Sequence, residues 1–152
     1  MDWLTPIGTA LGAAAGIGSA VLTERARWSI GRGDRTREAL KASYIAFLTN
    51  MTKAGEQVWQ AARERRPGWQ DTIMTALRDQ DVQTARFSLM LEAPASVREQ
   101  AENYFNCFIS WRDVAHEGSR RGEEAFDEAW LAYRSSRSTL QDVMRPTLGD
   151  IG

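Results

Sequence analysis

Residues 3–22 have the sequence WLTPIGTALGAAAGIGSAVL, a run of twenty residues that contains no charged side chain. A helix needs about 20 apolar residues to cross the hydrocarbon core of a bilayer, so this run predicts a single transmembrane helix. Its composition is only moderately apolar, because Ala, Gly, Thr and Ser make up much of it. Two alternatives stay open: a Gly- and Ala-rich helix packed inside a soluble bundle, and an N-terminal arm without fixed structure.

Glycines are spaced four residues apart inside this run, at Gly8, Gly12 and Gly16. Residues with this spacing lie on one face of a helix, and small residues there let two helix backbones approach closely in lipid. We therefore expect this face to pack against a second copy of the chain in the membrane.

The residues that flank the run predict its orientation. Trp3 and Trp28 bracket it, and tryptophan is enriched where lipid headgroups meet water. A cluster of basic residues follows the run, and it comprises Arg25, Arg27, Arg32, Arg35, Arg37 and Lys41. Because positive charge stays on the cytoplasmic side, we expect an inner-membrane anchor with the C-terminal domain in the cytoplasm. The basic cluster would then contact anionic lipid.

Nucleic-acid binding is the competing interpretation of the basic cluster. Residues 24–66 carry ten Lys or Arg against five Asp or Glu, whereas residues 67–152 carry nine against fourteen. The acidic second half would repel phosphate, and Trp28 is the one aromatic ring within the cluster. We therefore expect lipid rather than nucleic acid as the partner of these charges.

The rest of the chain is long enough for one compact domain with its own core. Its single cysteine, Cys107, suits a reducing compartment. The expected organisation is a membrane anchor at 1–23, a basic juxtamembrane hinge containing Gly31 and Gly33 at 24–34, a helical bundle at 35–146 and a tail at 147–152.

Apolar residues recur at helical spacing through this domain, and no useful stretch alternates in the manner of a strand. The spacing predicts an all-α fold with a long first helix to about residue 66, a second over about 69–92, a third from Ser96 to just before Gly118 and a fourth from about 123 to 146. Short connections favour an antiparallel bundle of three to four helices.

Particular residues predict the start of the third helix and the burial of the second. Residues 96–99, Ser-Val-Arg-Glu, have the spacing of a capping box, which predicts the start of the third helix. The second helix carries two apolar stripes, one made of Ile73, Leu77, Phe87 and Leu91 and the other of Val82, Ala85 and Leu89. We therefore expect the end of that helix to be covered on two sides.

A short apolar N-terminus, an Arg-rich junction at residues 24–28 (ERARW) and a turn at residues 93–99 (APASVRE) occur in this order along the chain. This layout resembles small membrane-anchored all-helical proteins of actinobacterial type. The resemblance spans most of the chain and implies an anchored helical bundle. It implies no activity.

Residue types that carry catalysis are sparse. His116 is the only histidine, and Cys107 lies nine residues before it, too far along one helix to be activated by it. The sequence contains no phosphate-binding loop motif and no Glu-x-x-His pair. We therefore expect no enzyme, no metal site and no cofactor.

Two classes of function remain. The first is a membrane-tethered cytoplasmic helical bundle that acts through protein–protein interaction as a scaffold, sensor or regulator, with Trp69 as an exposed partner contact. The second is a membrane-active effector whose glycine-faced N-terminal helix oligomerises under control of the bundle. An enzyme with a site that the sequence does not reveal is a third possibility.

Overall fold

The computed structural model describes the backbone of residues 5–149 and the side chains of residues 31–149. The helices follow one another as α1 (Thr5–Glu64), α2 (Trp69–Asp79), α3 (Val82–Glu92), α4 (Ala95–His116) and α5 (Glu124–Met144), with a 3-10 turn at Arg145–Leu148. No strand occurs among residues 5–149, so the predicted all-helical fold is confirmed. The chain divides into two compact units, Met1–Glu38 and Ala39–Gly152.

In the first unit, α1 is continuous through Gly31 and Gly33, in the segment predicted as a hinge. A Cβ atom at either glycine would meet nothing within 4 Å. None of the helices in the described part of the chain combines the length and the apolar composition of a membrane span. The side chains of the predicted anchor at residues 3–22 lie outside the described residues, and the anchor stays a prediction.

Ring contacts define the directions of three helices in the second unit. Phe47 of α1 contacts Tyr104 of α4 with ring centroids 6.1 Å apart. Further along both helices, Trp59 contacts Trp111 at 6.4 Å, so α1 and α4 run parallel. Helix α5 runs antiparallel to both, since Phe126 near its start packs on Trp59 at 5.8 Å while its middle contacts earlier residues of α1.

Helices α2 and α3 together return along α1. Gln57 Nε2 donates hydrogen bonds to the Thr72 carbonyl oxygen at 3.0 Å and to Asp79 Oδ2 at 2.8 Å. Asn50 Nδ2, earlier on α1, donates to the Asp81 carbonyl oxygen at 3.4 Å. The helix direction therefore alternates from α1 to the α2–α3 pair, then to α4 and then to α5.

The prediction of one helix over residues 69–92 is wrong, because two helices occupy this stretch. Asp81 lies between them with a φ of 51°, in the left-handed region, where a right-handed helix cannot continue. Aspartate tolerates this conformation better than most residues. The hydroxyl of Thr84 donates to Asp81 Oδ1 at 2.7 Å, which ties the turn to the start of α3.

The capping box predicted at residues 96–99 is also wrong. Helix α4 begins at Ala95 with Pro94 as its N-cap, and no side chain makes a capping hydrogen bond. The Pro94 carbonyl oxygen accepts from the backbone amides of Val97 at 3.1 Å and Arg98 at 3.0 Å. Pro94 is extended, with φ −65° and ψ 160°. Proline has a fixed φ and no backbone N–H, so it is tolerated at the start of a helix but not in its interior. Helix α4 accordingly begins directly after it.

Candidate functional sites

A cluster of aromatic rings fills the space between α1, α4 and α5. Its members are Trp59, Tyr104, Phe108, Trp111, Phe126, Trp130 and Tyr133. Tyr133 is at the centre, because its ring stacks on Tyr104 at 5.1 Å and on Trp111 at 5.3 Å. Aromatic pairs of this kind each stabilise a fold by about 0.5–1.5 kcal/mol beyond their burial. Packing therefore accounts for this concentration of tryptophan and tyrosine.

A buried chain of hydroxyl groups crosses the cluster. The Tyr104 hydroxyl donates to the Tyr133 hydroxyl at 3.1 Å, and the Tyr133 hydroxyl donates to the Met51 carbonyl oxygen at 3.2 Å. Burial raises the pKa of Tyr133 far above the ordinary value of 10.0, and the neighbouring Tyr104 raises it further. Burial also raises the pKa of Tyr104. Both hydroxyls therefore stay protonated near neutral pH and act as hydrogen-bond donors inside the core.

Cysteine and histidine each occur once in this chain. Cys107 and His116 are both half-buried on α4. Within residues 31–149, no three His, Cys, Asp or Glu side chains are grouped so that they could hold a metal ion.

Helix α3 presents two large apolar side chains to solvent. Its inner face is formed by Val82, Ala85 and Leu89, all of which are buried in the core. Phe87 and Leu91 lie on the opposite face, with 71% and 81% of their surface exposed. The prediction that these two residues continue a buried stripe from α2 is therefore wrong. The turn at Asp81 starts a new helix, so the phase of the stripe is not carried across it.

One ion pair joins α3 to α4, in addition to the buried residues of α3. Arg86 Nε and Nη2 donate to the two carboxylate oxygens of Glu102 on α4, at 2.9 and 2.6 Å. The Arg86 guanidinium also lies over the ring of Phe105, 4.2 Å from its centroid. Bidentate pairing and stacking hold the arginine in one geometry. The exposed face of α3 is thus presented in a defined orientation. We refer to Phe87 and Leu91 together as the α3 patch.

The site residues predicted from sequence fall into three groups: those outside the described side chains, the exposed basic residues of α1, and Trp69. Gly8, Gly12, Gly16, Arg25 and Arg27 have side chains outside the described residues, so nothing is placed there. Arg32, Arg35, Arg37 and Lys41 are exposed on α1.

Trp69, the predicted partner contact, is half-buried and packs against the core. The Arg65 guanidinium covers it, 4.7 Å from the ring centroid.

The sequence did not predict the α3 patch, because apolar spacing alone does not show where one helix ends and the next begins. The available signal is the polar run Asp79-Gln80-Asp81 in the middle of the stretch. Aspartate competes with the helical backbone for hydrogen bonds and favours turns. This run could have marked the break.

Comparison with protein-family models, with curated proteins and with solved structures gives no match for this chain.

Proposed function

We propose that this chain is a helical docking module in which Phe87 and Leu91 insert into an apolar groove of a partner protein. The exposure of these two side chains, 71% and 81%, is the observation that carries the proposal. They are four residues apart and share one helix face. Pairs of anchors with this spacing are how helices enter apolar grooves.

The setting of the α3 patch distinguishes it from ordinary surface residues. Single exposed apolar side chains are common on proteins and need no explanation. Here the two are neighbours on a helix of 11 residues whose opposite face is packed into the core. The Arg86–Glu102 pair holds that helix on α4. Docking would order few new groups, and this lowers the entropic cost of binding.

We further propose that residues 3–22 tether the module to the inner face of the cytoplasmic membrane as a single-pass anchor. The uncharged length of this run and the basic residues that follow it support the tether. Four of those basic residues, Arg32, Arg35, Arg37 and Lys41, are exposed on α1. Near an anionic leaflet each contributes about 1 kcal/mol of attraction. The glycine face at Gly8, Gly12 and Gly16 would bring two copies together and raise the avidity of docking.

Site-directed photo-crosslinking in cells tests the docking proposal. A photoreactive amino acid is placed at position 87 of the full chain, and in a matched control at position 131, where Leu131 is 64% exposed on α5. We expect position 87 to give an adduct of one defined mass with another polypeptide, and position 131 to give none. Leu91→Asp in the same chain should abolish the adduct, because it would place a charge in an apolar groove.

Three outcomes contradict the proposal: an adduct with lipid alone, an adduct with the mass of two copies of this chain, or an adduct that Leu91→Asp leaves unchanged. Helix content measured by circular dichroism controls for folding. We expect Leu91→Asp to preserve it, since Leu91 makes little contact with the core.

Cell fractionation tests the tether separately. We expect the full chain to sediment with membranes and to require detergent for release. Recovery of the intact chain in the soluble fraction without detergent would remove the tether while leaving the docking proposal standing.

A further inference from the structure

A second surface of the bundle concentrates positive charge around aromatic rings. It is a cleft of about 460 Å³ between the end of α1 and the connection from α4 to α5. Four arginines and two aromatic rings line it: Arg63, Arg65, Arg120, Arg121, Trp59 and Phe126. We refer to it as the arginine cleft. It is built from residues other than those of the α3 patch.

The charges in the arginine cleft are poorly balanced. Glu64 is the one carboxylate in its lining. It lies 2.9 Å from Arg66, outside the cleft, and 4.0 Å from Arg63. Among the described residues, the salt bridges include neither Arg120 nor Arg121. Four arginines around one cleft give it a positive potential, which a bound anion would offset.

One of the four arginines is held in place by the backbone. Arg65 has a φ of 48°, which directs the chain out of α1. Its Nη2 donates to the Gly118 carbonyl oxygen at 2.6 Å, and its Nε donates to the Ala62 carbonyl oxygen at 3.3 Å. The bond to Gly118 joins the end of α1 to the loop that carries Arg120 and Arg121. The two arginine-bearing segments are therefore fixed relative to each other.

The aromatic lining indicates that the ligand is more than an inorganic anion. Trp59 is half-buried at the floor, with the Arg121 guanidinium 5.7 Å from its ring centroid. A volume of about 460 Å³ lies in the range of small-molecule sites and far exceeds a single phosphate group. An apolar floor beneath a rim of guanidinium groups suits a planar ring that carries several negative charges.

We propose that the arginine cleft binds a small organic polyphosphate that carries a planar ring, as a nucleoside di- or triphosphate does. The guanidinium groups of Arg63, Arg120 and Arg121 would each present two parallel N–H donors to phosphate oxygens. The ring would pack at Trp59 beside the Arg121 guanidinium, which lies over that indole. This inference does not depend on the docking proposal.

Isothermal titration calorimetry of the full chain with ATP tests the proposal. Arg120→Gln with Arg121→Gln should weaken ATP binding at least about tenfold, since two charge-assisted contacts are lost. The matched control, Arg78→Gln with Arg98→Gln, removes the same charge from exposed positions on α2 and α4 outside the cleft and should leave the affinity unchanged. Arg63→Gln is a second cleft variant and should weaken binding in the same direction.

Two further titrants test the separate contributions of the phosphate groups and the ring to binding. Tripolyphosphate should bind more weakly than ATP because it has no ring to pack on Trp59, and adenosine should show no binding because it has no charge. Added salt should weaken ATP binding, since the contacts are ionic.

The proposal is overturned if ATP does not bind, or if the control variant loses as much affinity as the cleft variant. Equal affinity for tripolyphosphate and ATP would also overturn it, as would tighter binding of a single-stranded oligonucleotide than of ATP.

Discussion

The outer face of α3 and the inner face of α4 carry the same kinds of residue at similar spacing, yet their environments are opposite. Phe108 and Trp111 on α4 are fully buried, whereas Phe87 and Leu91 on α3 are largely exposed. Helix α4 runs unbroken for 22 residues, while α3 starts afresh after the turn at Asp81. Helical spacing therefore predicts which residues share a face. Which face is buried depends on where the helix begins.

The largest expected effect is the difference in stability loss when one phenylalanine in each region is replaced by alanine. Phe108→Ala should lower the free energy of unfolding by about 3–5 kcal/mol, because it leaves a cavity in a packed core. Phe87→Ala should change it by less than about 0.5 kcal/mol, because the ring is mostly in solvent. Urea unfolding followed by circular dichroism measures both. Similar losses of unfolding free energy for the two variants would mean that the Phe87 ring is buried.

A second prediction concerns the tightness of the aromatic cluster. A Cβ atom at Gly55 would lie 2.7 Å from the Tyr133 hydroxyl oxygen. The Tyr133 ring is stacked between Tyr104 and Trp111 and cannot easily retreat. Overpacking of this kind costs about 1–3 kcal/mol, against a gain of about 1 kcal/mol from replacing glycine in a helix. Gly55→Ala should therefore show a net loss of stability.

The matched control for Gly55→Ala is Gly33→Ala, where an added Cβ meets nothing within 4 Å and no loss is expected. Adding Tyr133→Phe to Gly55→Ala removes the clashing oxygen. In a double-mutant cycle the pair should be more stable than the sum of the single changes. Strict additivity would show that the ring moves freely.

Alkaline pH should lower the free energy of unfolding, because the two tyrosines of the aromatic cluster ionise more readily in the unfolded chain. Burial raises the folded-state pKa of Tyr133 and Tyr104, so the folded chain holds these protons more tightly than the unfolded chain. Their contribution to stability is therefore complete below about pH 10, the unfolded value, and falls as the pH rises beyond it. The slope is at most about 1.4 kcal/mol per pH unit for each tyrosine.

Unfolding measured across this alkaline range in the natural chain and in Tyr133→Phe checks the tyrosine prediction. Tyr133→Phe should flatten the fall in stability. An identical slope in both chains would mean that other groups cause the alkaline loss.

The smallest expected effect concerns the ion pair that orients α3. A double-mutant cycle on Arg86→Ala and Glu102→Ala should give a coupling of about 0.5–1 kcal/mol, because the pair is bidentate but partly exposed. Arg145 and Asp142, 3.0 Å apart with side chains 75% and 67% exposed, form the control pair. That pair should show almost no coupling. Equal coupling in both cycles would mean that the bidentate geometry of Arg86 and Glu102 adds nothing to stability.

The sequence predicts the helices of this chain better than it predicts their surfaces. The start of α5 beside Glu123 is confirmed. Phe108, Trp111, Phe126 and Tyr133 are buried, and each belongs to a long uninterrupted periodic stretch. The predicted helix boundaries are wrong where a single residue determines the boundary. The left-handed Asp81 divides a predicted helix, and Pro94 takes the capping position that the spacing gave to Ser96.

Apolar periodicity alone predicts neither candidate site, for physical reasons. The α3 patch depends on the new helix that starts after Asp81, and the spacing of apolar residues does not show that break. The arginine cleft joins Arg63 and Arg65 to Arg120 and Arg121 across more than fifty positions of sequence, and only the folded chain brings them together.

Thiol labelling tests most directly the claim that α3 turns Phe87 outward. In a full chain carrying Cys107→Ser, a thiol is introduced by Phe87→Cys in one variant and by Ala85→Cys, a position only 6% exposed, in another. We expect the thiol at position 87 to react with a water-soluble maleimide about as fast as in urea-unfolded chain, and the thiol at position 85 to react far more slowly, only as the fold opens. A protected thiol at 87 together with a reactive thiol at 85 would contradict the turn at Asp81 and the docking surface that rests on it.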